Sequence, residues 1–132
     1  MNPLQIKDVL ARVDEVKAND WSKELKLSWL SEIEHQVKAE VFDTHYMNEK
    51  DTARAAAFAG YNAETPEETE LLVPEPYSTL YQYYIEAQIA RADGDKSQNQ
   101  DATTLFDNMY LSYRRYVNRT QMPKKQLRAF LI

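Results

Sequence analysis

Glu32 and His35, in the run Glu32-Ile33-Glu34-His35, have the Glu-x-x-His spacing that puts a carboxylate and an imidazole on one helical face. In di-iron bundles two such pairs, on separate helices, hold the metals together with further glutamates. This chain has only two histidines, and the second, His45, has Phe42 three residues before it, so the second pair is missing. Glu32 and His35 also lie off the apolar series Leu30, Ile33, Val37, which assigns them to a solvated surface. Other chemistries have still less support. With no cysteine there are no disulfides, thiol nucleophiles or Cys-ligated zinc and iron–sulfur centres. Gly60 and Gly94, the only glycines, sit in no phosphate-cradling motif, and no serine occupies a nucleophile elbow. The expectation is a protein that is not an enzyme, with no catalytic residue, no cofactor and no metal.

Tyrosine is the unusual residue. Seven of the nine fall between Tyr77 and Tyr116. A tyrosine buries a large apolar body while its hydroxyl needs a partner, so it suits half-buried rims and interfaces. Tyr77, Tyr81, Tyr84, Tyr110 and Tyr113 fit the inward stripes of two helices. Tyr83 and Tyr116 fall off those stripes and are candidate partner-binding residues.

Charge is as unevenly placed. The net −5 divides into −11 over residues 1–107 and +6 over residues 108–132, where there is no acid. The basic end holds Arg114, Arg115, Arg119, Lys124, Lys125 and Arg128. Lys124, Lys125, Arg128 and Phe130 are read as a tail that meets an acidic partner, another protein surface or a phosphate backbone, with a solvated helix end as the alternative. The acidic body argues against sequence-independent nucleic-acid binding, which depends on neutralising phosphates.

Apolar periodicity predicts the elements that position these residues. Asn2 as cap and Pro3 at the first helical position open a helix whose stripe is Ile6, Val9, Leu10, Val13 and Val16. A second helix spans roughly 22–44, with Leu30, Ile33, Val37 and Val41 inward and Lys26 on the polar face. Periodicity fails from His45 to Pro76, an acidic connection with one possible short helix over 51–59. Within it, Leu71, Leu72 and Val73 are candidate partner-binding residues, as a core anchor or a short strand whose free edge pairs with another chain. Pro76 opens a third helix, and Asp93-Gly94-Asp95 ends it with Gly94 as a left-handed cap. A fourth helix runs over roughly 97–119, with Ala102, Leu105, Phe106, Met109, Tyr110, Tyr113 and Val117 inward. The predicted fold is all-α: a four-helix bundle-like domain over 1–120, a long acidic loop between helices 2 and 3, and a flexible basic tail over 121–132. The longest apolar run has five residues, Ala55 to Ala59, where a membrane span needs about twenty. No signal peptide is expected at the start.

The string Leu71-Leu72-Val73-Pro74-Glu75-Pro76-Tyr77, then Leu80-Tyr81-Gln82-Tyr83-Tyr84-Ile85-Glu86-Ala87-Gln88-Ile89 and Gly94-Asp95, resembles small proteins from the head–tail region of long-tailed bacteriophages and prophages. The likeness extends to Lys26-Leu27-Ser28-Trp29-Leu30-Ser31-Glu32 upstream and to Phe106–Tyr110 and Tyr116–Arg119 downstream. Ser97–Gln100 departs from the family's Tyr-Asn pair at the junction of the last two helices. The resemblance implies a head–tail connector or head-completion subunit, non-catalytic, that assembles as a ring beneath the portal. Portal and neighbouring neck proteins would be its partners, with DNA passing through the ring without specific binding. Its location would be the virion neck, and the host cytoplasm during assembly. The alternative is a cytoplasmic adaptor or regulatory protein that binds a partner protein through the Tyr-rich helix pair.

Overall fold

The computed structural model describes residues 2–124. It is mainly helical, with one small sheet: β1 (Pro3–Gln5), α1 (Ile6–Val16), α2 (Lys23–Val37) running into a π-helical turn (Lys38–Phe42), α3 (Glu49–Ala57), β2 (Glu70–Pro74), α4 (Thr79–Ala92) and α5 (Lys96–Thr120). The four longer helices lie where the apolar stripes predict them. α4 is the centre, packed against α1, α2 and α5. Its Leu80, Tyr81, Ile85, Ala87, Ile89 and Ala90 are all buried, so both flanks of the helix are covered.

The all-α expectation needs one correction. Residues 3–5 are extended and pair antiparallel with β2, so Asn2 and Pro3 do not open α1. That helix starts at Ile6, where the amide of Gln5 donates to the carboxylate of Asp8 at 3.1 Å. Three residues are too few to show a period of two, which is why the strand leaves no trace in the sequence pattern.

The connection from 45 to 76 is not a long loop either. Asn48 caps α3 by accepting from the amide of Asp51 at 2.8 Å, and β2 follows. Ion pairs from Glu67 to Lys23 and from Glu75 to Arg12 (3.6 Å) hold the acidic stretch on its own body. Residues 121–124, assigned to the tail, are also held. Met122 accepts from the Tyr46 amide at 3.0 Å, and the Lys124 amide donates to Thr44 at 2.9 Å.

Lys26 is a further correction, being buried on α2 with its ammonium 2.7 Å from Asp14 of α1. Its stem covers apolar surface while its charge reaches a partly exposed partner. Among the described residues no helix is long and apolar enough to cross a membrane.

Gly94 ends α4 as the sequence implies. Its φ is +76°, its amide donates to Arg91 at 3.1 Å, and the Asp95 amide donates back to Ala90 at 2.8 Å. This is the paired-bond arrangement of a helix ended by a left-handed residue. A Cβ added at Gly94 meets no atom within 4 Å, so the only cost of Gly94→Ala is the backbone conformation. That variant is expected to lose about 1 kcal/mol in urea unfolding.

Candidate functional site

Glu34 is fully buried on α2, between Leu30 and Val37. Its Oε1 accepts from the Tyr81 hydroxyl at 2.5 Å. Its Oε2 accepts from the Tyr61 hydroxyl at 2.7 Å and the Leu72 amide at 3.0 Å. The Tyr81 hydroxyl in turn accepts from the Val73 amide at 2.8 Å. Arg54 donates to the Leu72 carbonyl at 3.2 Å and pairs with Asp51 at 2.8 Å. One carboxylate therefore joins α2, the 58–69 segment, β2 and α4.

Burial and hydrogen bonding act on Glu34 in opposite directions. Removal from water raises its pKa, while the Tyr81, Tyr61 and Leu72 bonds and the charge of Arg54 lower it. Burial is the larger effect, and the group is pushed up to about 7. Burial and the neighbouring carboxylate hold the Tyr61 and Tyr81 phenols well above their ordinary value, so both act as hydrogen donors.

A cleft of about 490 Å³ is lined by Arg54, Phe58, Gly60, Tyr61, Thr65 and Glu68, among others; Glu34 is not in its lining but bonds to Tyr61. The lining pairs no nucleophile with a base. Among the described residues no three His, Asp or Glu side chains gather where they could hold a metal. Glu32 and His35 are on the surface, where Glu32 accepts from the Tyr84 hydroxyl at 3.0 Å and the His35 ring lies 4.6 Å from that of Phe58.

The candidate partner-binding residues are dispersed. Leu71, Leu72 and Val73 are buried in the core, and their strand edge is occupied by Glu34, Tyr81 and Arg54. They anchor the core, one of the two roles expected for them, and their strand pairs with β1. Tyr116 is half-buried and stacks on Tyr77, with centroids 5.3 Å apart at 29°, so much of its ring is engaged within the chain. Tyr83 is half-buried beside a surface groove where α1, α4 and α5 meet. Lys124 places its ammonium 5.5 Å from the Tyr46 ring centroid. Lys125, Arg128 and Phe130 lie outside the described residues.

Besides Lys26, the sequence stripes missed three positions. Glu34 has a legible signal, because Leu27, Leu30, Glu34, Val37 and Val41 follow one another at spacings of three and four. A carboxylate interrupting such a run must be buried and partnered. Val16 and Leu105 err the other way: both were assigned inward, yet they are 64% and 47% exposed. No protein-family model, curated protein or solved structure matches this chain.

Proposed function

We propose that this chain is a structural subunit of the neck of a long-tailed phage or prophage, a head–tail connector that assembles as a ring at the portal. The observation that carries this reading is the Leu71–Ile89 string and its resemblance to head–tail proteins. In the fold that string supplies the β2 strap and the central helix α4. The chain then acts by contacts and not by chemistry, as a four-helix bundle-like body carrying a basic tail.

Charge along α5 supports assembly by unlike ends. Its first half carries Asp101 and Asp107 against one cation, Lys96, and its second half carries Arg114, Arg115 and Arg119 with no acid. Unlike ends that meet make a heterologous contact, which closes into a ring when the rotation allows. An acidic lining would let DNA pass without adhering to it. The working location is the virion neck, reached from the host cytoplasm during assembly.

A second reading, an adaptor that binds a partner protein through the α4–α5 pair, is favoured by the half-exposed Tyr83. Co-expression with a portal protein, followed by electron microscopy, separates the two. A ring of added density on the portal is expected. Bare portals would reject the connector role and leave the adaptor.

A further inference from the structure

The two apolar side chains that defy their stripes are found together. Val16, the last residue of α1, and Leu105, early in α5, line one groove with Tyr83, Ala102, Glu86 and Asp101. The groove has a volume of about 240 Å³ and its walls are mostly apolar. A monomer gains nothing from leaving valine and leucine in water at the same spot, and such clustered local conflicts tend to mark function.

We infer that this groove receives residues 125–132 of a second copy of the chain. That segment reads Lys-Gln-Leu-Arg-Ala-Phe-Leu-Ile. It supplies apolar anchors for Val16, Tyr83 and Leu105, and two cations for Glu86 and Asp101, which outnumber the groove's one cation, Lys17. The contact rests on the self-association part of the connector reading and gives it a location.

Reach selects a neighbour over the chain's own groove. The described chain leaves the body at Lys124, beside Thr44 and Tyr46, beyond the end of α5. Leu105 lies fifteen residues before Thr120 on that helix, or about 22 Å at 1.5 Å per residue. Phe130 is six residues past Lys124, so its Cα reaches about 22 Å only when fully stretched. Its own groove is thus beyond a relaxed segment, while a neighbour's groove is not so constrained. The contact joins opposite ends of α5, so it is heterologous and propagates from copy to copy.

Charge selects this groove over the cavity nearest the exit point. That cavity, of about 290 Å³, is walled by Phe42, Tyr46 and Ala56, but it already carries Lys38 and Lys124 against Asp43. A basic segment gains less there.

The absence of native cysteine makes the test clean. Full-length Leu105→Cys is mixed with full-length Phe130→Cys under mild oxidation, and disulfide-linked heterodimer is measured. Leu111→Cys replaces Leu105→Cys as control, since Leu111 is equally exposed on the same helix but is not part of the groove. The 105–130 pair is expected to give roughly tenfold more heterodimer than the 111–130 pair, because docking raises the effective concentration of the thiols. Equal yields would overturn the contact. No portal is involved, so a bare portal with an intact cross-link rejects the connector role alone, and a portal ring without the cross-link rejects this contact alone.

Discussion

Glu34→Ala is expected to remove about 3–5 kcal/mol of stability, a large part of the 5–15 kcal/mol typical of a single domain. The loss has two sources. The Tyr61 hydroxyl, the Tyr81 hydroxyl and the Leu72 amide all lose their acceptor inside the core, and each unpartnered buried donor costs about 1–3 kcal/mol. A cavity is also left where the side chain stood. Urea unfolding of the wild type and the variant measures the difference. A loss below about 1 kcal/mol would mean that the three donors find other partners.

Glu34→Gln isolates the charge from the shape. Because the folded pKa lies near 7 and above the ordinary 4.5, the folded chain holds a proton that the unfolded chain releases between those values. The stabilisation from this group is therefore complete below about pH 4.5 and is lost as pH rises through about 7. Within that window the wild type loses about 1.4 kcal/mol per pH unit from Glu34 alone. Tyr61 and Tyr81, which face the carboxylate, stay protonated throughout, so neither titrates there. The glutamine variant is expected to be less stable than wild type at the acid end of the window and to approach it at the alkaline end. Stability curves that stay parallel from about pH 5 to about pH 8 would show that Glu34 holds the same charge in both states.

The four longer helices were legible because each is long enough for its stripe to repeat. The Gly94 cap was legible because a left-handed residue between two aspartates has few other uses. Glu34 was overlooked for a physical reason. Periodicity ranks residues by polarity, and a carboxylate on an apolar stripe is acceptable only when distant residues supply donors. Those donors, Tyr61 and Tyr81, lie 27 and 47 residues away. Lys26 escaped in a similar way, since its burial depends on Asp14 standing on another helix. Val16 and Leu105 failed in the opposite sense. Helical spacing says which side of a helix an apolar residue lies on, but not whether another element reaches that far along it. Val16 is the final residue of α1 and Leu105 lies near the start of α5, where the neighbouring helices leave a groove.

Leu72→Ala and Leu105→Ala delete the same atoms and are expected to differ by several kcal/mol. Leu72 is buried on β2, between the core and the Glu34 network. Truncation there removes about 2–5 kcal/mol, combining lost burial with a cavity that the surrounding side chains fill only in part. The damage should spread, because β2 holds β1 in place and β1 leads directly into α1. Hydrogen exchange is expected to quicken at the Ile6 and Lys7 amides, which bond to Thr69 and Glu67 across this junction. Leu105 is half exposed, so its truncation should change stability by no more than about 0.5 kcal/mol. Its effect should instead appear in self-association, which Leu72→Ala disturbs only through the fold. Were Leu71–Val73 a docking surface, as the sequence allowed, the order would reverse: Leu72→Ala would leave unfolding unchanged and weaken association. Thermal melts and sedimentation of the two variants side by side decide between a strand that anchors the core and a groove left open for a neighbour.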